Sequence, residues 1–300
     1  MWGGWSSMGG IAGEQTVGEL LALATRRLAE ARIPSPSDEA RLLMAEVLGV
    51  SSAWIIAHPE ARPPTDRARL YLDYLSRRCA HEPFAYIVGH KEFYGLDLEV
   101  TPSVLIPRPE TELLVDHALD AATRLRALKA RPLVAVDLGT GSGAIAIALA
   151  SRRPDLRVIA VDSSRDALEL AARNAAIHRV ADRIDLRQGD LMAPVTERID
   201  LLVANLPYIP TGELEHLMPD VREYEPREAL DGGPSGTDII RRALRESEGR
   251  MDAPAFLLFE IGFTQGLRLS REARRLHPGA SVRVFRDYAG FERVLSIELQ

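Results

Sequence analysis

The chain has 300 residues, 46% of them hydrophobic, with a formal net charge of -6 and a pI near 5.7. That length exceeds one average domain and suits a core enzyme domain with a smaller companion, while the acidic balance removes any bulk electrostatic reason to bind nucleic acid or an anionic membrane. A single cysteine, Cys79, excludes an internal disulfide and a cysteine-based zinc cluster, so a cytoplasmic protein is expected.

Residues 1–14 lack the basic and apolar regions of a signal peptide and read as a flexible tail, with Met8 as an alternative start. No uncharged apolar stretch approaches the roughly 18 residues that a membrane span needs. Leucines and alanines at three- and four-residue spacing then predict helices in "TVGELLALATRRLAEARI", "SPSDEARLLMAEVLGV" and "TDRARLYLDYLSRRCA". In the second, Ser35 is placed to cap, Pro36 to occupy the first turn, Asp38 to face the positive end of the helix dipole and Gly49 to end it. Residues 1–88 thus read as a helical amino-terminal domain. Its nine Arg against ten Asp or Glu make it nearly neutral, which suits docking to a protein better than clamping nucleic acid.

From "GHKEFYGLDLEVTPSVLIPRPETE" the texture changes to short strand-like pieces with Gly and Pro turns, giving a linker β-hairpin over 89–105. Over 106–300 apolar strands alternate with helices: "PLVAVDL", "LRVIAVD", "RIDLRQGD", "IDLLVANL" and "AFLLFEIG" read as parallel strands covered on both faces. The pieces "SVRVFRDY" and "ERVLSIEL", separated only by "AGF", read as a terminal antiparallel hairpin. The expectation is an α/β, Rossmann-like sheet of seven strands preceded by a small helical domain.

Gly139, Thr140, Gly141, Ser142 and Gly143 lie between the first of those strands and its helix, where glycines allow a tight turn and close approach to a ligand. Asp162 ends the next strand at the position suited to ribose hydroxyls, although it also serves as a helix cap. These features fit NAD as well as S-adenosylmethionine. Two residues favour the latter. Asp137, just before the loop, repels a pyrophosphate and attracts the ammonium of a methionine moiety, and Asp190, ending the third strand, is suited to accept from an adenine amino group. Asn205 follows the fourth strand on the same sheet edge. Its side-chain oxygen and the Leu206 carbonyl are suited to accept one N–H each from an amide or exocyclic amine, with Pro207 constraining the backbone and Tyr208 packing on the planar face. An Asx-turn is the bland alternative for Asn205. The seven histidines form no metal-ligand spacing, and no metal is expected.

The segments "VLIPRPETE", "DLGTGSGAIAIALA", "NLPYIP", "YEPREALDGGPSGTDIIRR" and "FEIG" resemble the peptide-chain release factor glutamine methyltransferases, which are class I S-adenosylmethionine-dependent enzymes. The resemblance covers most of the chain. It implies methyl transfer to the amide nitrogen (N5) of the glutamine in the Gly-Gly-Gln loop of class I release factors, modulating translation termination. It also implies a helical domain that grips the factor beside that loop. A monomer with no direct nucleic-acid binding is expected. The family motif is Asn-Pro-Pro-Tyr, and Leu206 replaces its first proline. Asn-Leu-Pro-Tyr occurs in rRNA adenine dimethyltransferases, which makes N6-adenine methylation of nucleic acid the rival reading. Arg108 is expected to pair with Glu110 or Glu112, and Phe93 to sit in the core of the hairpin.

Overall fold

The computed structural model describes residues 15–300; the tail and the alternative start at Met8 lie outside the described residues. Contacts divide the chain into one unit ending at Gly89 and another running from His90 to Gln300.

In the first unit, α1 (Val17–Glu30) begins on a reciprocal cap: Glu19 N donates to Thr16 Oγ1 at 3.3 Å and Thr16 N donates to the Glu19 carboxylate at 2.8 Å. Helix α2 (Pro36–Leu48) starts on Pro36 and ends on Gly49, which adopts φ +68°. Ser35 departs from expectation. Its backbone is left-handed (φ +48°, ψ +54°) rather than extended, its side chain makes no capping bond, and its carbonyl takes the Asp38 and Glu39 amides instead. Helices α3 (Ser52–Ala57), α4 (Thr65–Cys79) and α5 (Phe84–Val88) complete a core around Leu20, Leu43, Ile55 and Leu75. The hydroxyl of fully buried Tyr71 donates to Ala40 O at 3.1 Å in that core.

The second unit opens with the hairpin β1 (His90–Phe93) and β2 (Leu96–Glu99), whose turn residues Tyr94 and Gly95 both have positive φ. Phe93 is buried in the core beneath it. The hairpin belongs to this unit, held by fully buried Asn174, whose Oδ1 accepts from Glu99 N and whose Nδ2 donates to Glu99 O and Ser142 O. Then come α6 (Thr111–Leu128), β3 (Leu133–Leu138), α7 (Ala144–Arg152), β4 (Leu156–Asp162), α8 (Arg165–Ile177), β5 (Ile184–Gln188) and β6 (Ile199–Ala204). They are followed by α9 (Pro219–Tyr224), α10 (Asp238–Glu246), β7 (Met251–Glu260), α11 (Gly266–Leu276), β8 (Ser281–Arg286) and β9 (Glu292–Leu299).

The seven-stranded sheet has the order β5-β4-β3-β6-β7-β9-β8; β9 runs antiparallel to both neighbours and the other pairs are parallel. Successive residues face opposite sides and both sides are covered, which is why the strands read as continuous apolar runs. Leu201, Val203 and Leu258 meet α6 and α7 through Leu114, Leu125 and Leu149, while Leu202, Leu257 and Phe259 meet α10 and α11 through Ile240, Leu244 and Leu269. The chain winds outward from β3 to β5 and returns to the other side of β3 at β6. The crevice at the carboxyl ends of β3 and β6 is therefore the topological switch point, where ligands bind in such sheets.

At the opposite edge, fully buried Asp200 accepts from Lys129 Nζ, from both terminal nitrogens of Arg131 at 2.7 and 2.8 Å, and from Val134 N at 2.8 Å. Removing the anion leaves Val134 N without its acceptor and Lys129 and Arg131 with Asp252 as their remaining anionic partner. Asp200→Ala is expected to lower unfolding free energy by about 1–3 kcal/mol, read by urea denaturation; a change below about 0.5 kcal/mol contradicts this account of the edge.

Candidate functional site

The switch-point crevice contains a cavity of about 540 Å³, within the range of small-molecule sites. Gly139, Thr140, Gly141 and Ser142 line its floor, Asp162 and Asp190 one wall, and Asn205, Leu206 and Pro207 the other. The loop is held from β4, since Gly139 N and Thr140 N both donate to Val161 O, at 2.8 and 3.0 Å. Asp162 accepts from Gly141 N and Ser164 N, each at 2.9 Å, so its carboxylate is oriented by backbone and borders the cavity. Asp190 also borders the cavity, its Oδ2 accepting from Arg242 at 2.7 Å.

Two expected site residues stand elsewhere. Gly143, with φ +83°, lies behind the cavity lining, where a Cβ would meet Ile147 Cδ1 at 2.9 Å and Ala171 Cβ at 3.2 Å; its smallness serves packing of α7 against α8. Asp137 is sealed beneath the loop with no exposed surface and does not line the cavity. Its Oδ2 accepts from Thr140 Oγ1 at 2.7 Å and Ala146 N at 3.2 Å, while its Oδ1 is buried without a partner. Burial pushes its pKa up to about 7 against the help of those bonds. Asp137 therefore stands beneath the glycine loop and not on the cavity wall.

A second cavity of about 350 Å³ adjoins the other side of Asn205 and is lined by Tyr208, Glu260 and Arg293; Arg108, Asn205 and Leu206 border both spaces. Tyr208 lines only the second. Its hydroxyl donates to Glu260 at 3.2 Å, and burial together with that anion holds its pKa above the ordinary tyrosine value. Glu260 is itself 1% exposed, and burial raises its pKa. Arg108 pairs with buried Glu225 at 2.5 Å, not with Glu110 or Glu112 as its sequence neighbourhood suggests. Glu112 is engaged elsewhere, accepting from Tyr94 N at 2.8 Å.

The segment 205–210 is fastened from behind by residues without an assigned role in the sequence reading. Ile209 N donates to Leu230 O and Gly232 N to Ile209 O, and Gln265 Nε2 reaches Tyr208 O at 2.8 Å. A Cβ on Gly232 would stand 2.7 Å from Tyr208 Cα and 2.8 Å from Pro207 O, so only glycine fits. This explains the "ALDGG" segment. Leu206 is 4% exposed, and its Cδ2 stands 3.1 Å from where a Cβ on Gly139 would be, so its side chain rests on the glycine loop. Among the described residues no group of His, Cys, Asp or Glu is arranged to hold a metal ion.

A family model described as the methyltransferase small domain matches residues 112–218. Together with the sheet order and the loop-to-Asn205 crevice, it defines the class as a Rossmann-like methyltransferase. A second model, the PrmC N-terminal domain, matches residues 19–89. The chain is 40% identical over 279 residues to the release factor glutamine methyltransferase of Moorella thermoacetica, covering 93% of this chain and 96% of that one. It is 39% identical to the protein of that name from Cereibacter sphaeroides, over 94% and 98% of the two chains. The chain belongs to the release factor glutamine methyltransferase family. Among solved structures it is similar in fold to the hMettl16 catalytic domain in complex with MAT2A 3'UTR hairpin 6, with a TM-score of 0.56, 14% identity, and coverage of 78% and 82%.

The buried Asp137 has a measurable consequence. Its folded pKa lies above the unfolded value near 3.8, so between about pH 4 and 7 the folded chain holds a proton that the unfolded chain releases. Stability falls as pH rises through that window and levels off above it. Asp137→Asn is expected to flatten this part of the melting temperature against pH curve of the protein without ligand; identical curves for both proteins rule the assignment out.

Proposed function

We propose that this protein transfers a methyl group from S-adenosylmethionine to the side-chain amide nitrogen (N5) of the glutamine in the Gly-Gly-Gln loop of class I release factors. The observation that carries the reading is the position of Asn205, between a cavity floored by the glycine loop and a second cavity holding Tyr208. Membership of a family whose relatives are named for the glutamine of release factors supports the acceptor.

The donor cavity fits a cationic cofactor better than a dinucleotide. Asp162 offers a backbone-held carboxylate to a ribose diol. When ionised, Asp137 beneath the loop places negative potential there, which favours an ammonium and opposes a pyrophosphate. Asp190 stands at the remaining edge for an adenine amino group. When bound, S-adenosylmethionine supplies an electrophilic methyl group on a sulfonium.

The protein's own contribution is to position and polarise the acceptor. Amide nitrogen is a weak nucleophile because its lone pair is delocalised. Asn205 Oδ1 and the Leu206 carbonyl accept its two N–H groups, and Tyr208 packs on the planar face of the amide. Both oxygens face the positive charge that grows on nitrogen as the carbon–nitrogen bond forms and the carbon–sulfur bond breaks. The nitrogen then gives one proton to solvent. The nearly neutral helical unit is the release-factor docking domain in this reading. The protein acts as a cytoplasmic monomer with no direct nucleic-acid contact.

The test offers radiolabelled S-adenosylmethionine with a class I release factor, its Gly-Gly-Ala variant, RNA and DNA. Label on the factor and none on the variant is expected; label confined to nucleic acid overturns the reading in favour of adenine methylation. Asn205→Ala is expected to lower turnover by about 10²–10³ fold, with cofactor affinity held within about threefold in a binding titration. Asp162→Ala is expected to weaken cofactor binding by about 10–100 fold, and unchanged affinity would remove the ribose contact.

A further inference from the structure

Thr111 lines the first cavity and Glu260 the second, and neither has a part in the chemistry above. With Asn205 and Tyr208 they form one hydrogen-bonded chain with a fixed direction. Asn205 Nδ2 donates to Thr111 Oγ1 at 3.0 Å, Thr111 Oγ1 donates to Glu260 Oε2 at 2.7 Å, and Tyr208 OH donates to Glu260 Oε1 at 3.2 Å. Thr111 and Glu260 are 4% and 1% exposed, so water does not compete freely for these bonds.

The direction follows from how many protons each group has. Glu260 takes a hydrogen bond on each oxygen, from Thr111 and Tyr208, and feels the charge of Arg293, all of which favour its carboxylate form; a carboxylate only accepts, and a hydroxyl has a single proton to give. Once Thr111 donates to Glu260, only lone pairs remain for Asn205, which must approach with its NH₂. An asparagine amide is planar, with oxygen and nitrogen on opposite sides, so fixing Nδ2 on Thr111 turns Oδ1 away from it and toward the cavities that Asn205 borders. The reversed amide sets oxygen against oxygen at Thr111 and presents donors to an acceptor group that itself brings N–H donors. The backbone supports this arrangement. Thr111 is the first residue of α6, its N donating to Arg108 O at 3.0 Å, and Glu260 ends β7 directly after Phe259, which pairs with Ala204 of β6.

We propose that Thr111 and Glu260 are positioning residues that fix the orientation of the Asn205 amide, presenting its oxygen to the acceptor nitrogen and so selecting a glutamine amide over a carboxylate. This rests on the reading of Asn205 as the acceptor-binding side chain. Selectivity arises because a glutamate at the same place would set anion against carbonyl oxygen.

The experiment compares wild type, Thr111→Val and Thr111→Ser. Valine keeps the shape and removes the hydroxyl; serine keeps the hydroxyl and removes a methyl. Hydrogen exchange of the Asn205 side-chain amide, assigned by its absence in Asn205→Asp, is read by NMR, and turnover and cofactor affinity are measured alongside. Thr111→Val is expected to speed exchange and to lower turnover, each by about tenfold or more, with cofactor affinity within about twofold. Thr111→Ser is expected to recover most of both. Wild-type exchange and turnover in Thr111→Val overturn the proposal, as does an equal loss in Thr111→Ser, which would assign the role to the γ-methyl. If wild type methylates no release factor, the functional reading fails while the exchange data still decide the orientation of the amide.

Discussion

The parallel pairing of β3 with β6 is the constraint on which the site depends. Leu138 pairs with Ala204, so the glycine loop and Asn205 leave the sheet side by side although they are more than sixty residues apart in sequence. Neither segment is informative alone. A glycine loop turns many ligands, and an asparagine before a proline closes many strands. Their adjacency at a switch point puts two cavities on either side of one amide side chain, the arrangement on which the proposed transfer rests. The proposed chemistry follows from register.

Around that amide the protein buries carboxylates. Asp137, Glu225 and Glu260 are each within 6% of complete burial, and each has its pKa raised by loss of solvent. Such groups are expensive to place in an apolar interior, and each is answered by specific donors: Thr140 and Ala146, Arg108 and Ile106, Thr111 and Tyr208. The charges fasten loops that have little regular structure of their own. The "IPRPETE" segment is tied to "YEPRE" by Arg108 and Glu225, and to the end of β7 by Thr111 and Glu260.

Much of this was legible in the sequence because its signals are local. The alternation of apolar strands and helices predicts the sheet, and Asp162, ending one strand, and Asn205, just after another, are placed by that pattern on the edge where the cavity lies. What was not legible depends on distant partners. Nothing near Arg108 points to Glu225, 117 residues away. Ser35 has the chemistry of a cap, but a left-handed backbone turns it out of use. The role of Gly232 appears only when the backbone of Pro207 and Tyr208 is packed against it. Glu260 carried a usable signal: it ends an apolar strand in "FLLFE", as Asp162 ends its own, and the same rule that selected Asp162 applies to it.

Leu206 is where the chain departs from the Asn-Pro-Pro-Tyr pattern; its side chain rests on Gly139, and the residue also borders the second cavity. In the proposed reading one residue thus touches both the loop that holds the donor and the space that receives the acceptor. Any free energy by which one ligand changes the other's affinity through that contact is shared equally by both, and this chain's leucine in place of the family's proline falls at it.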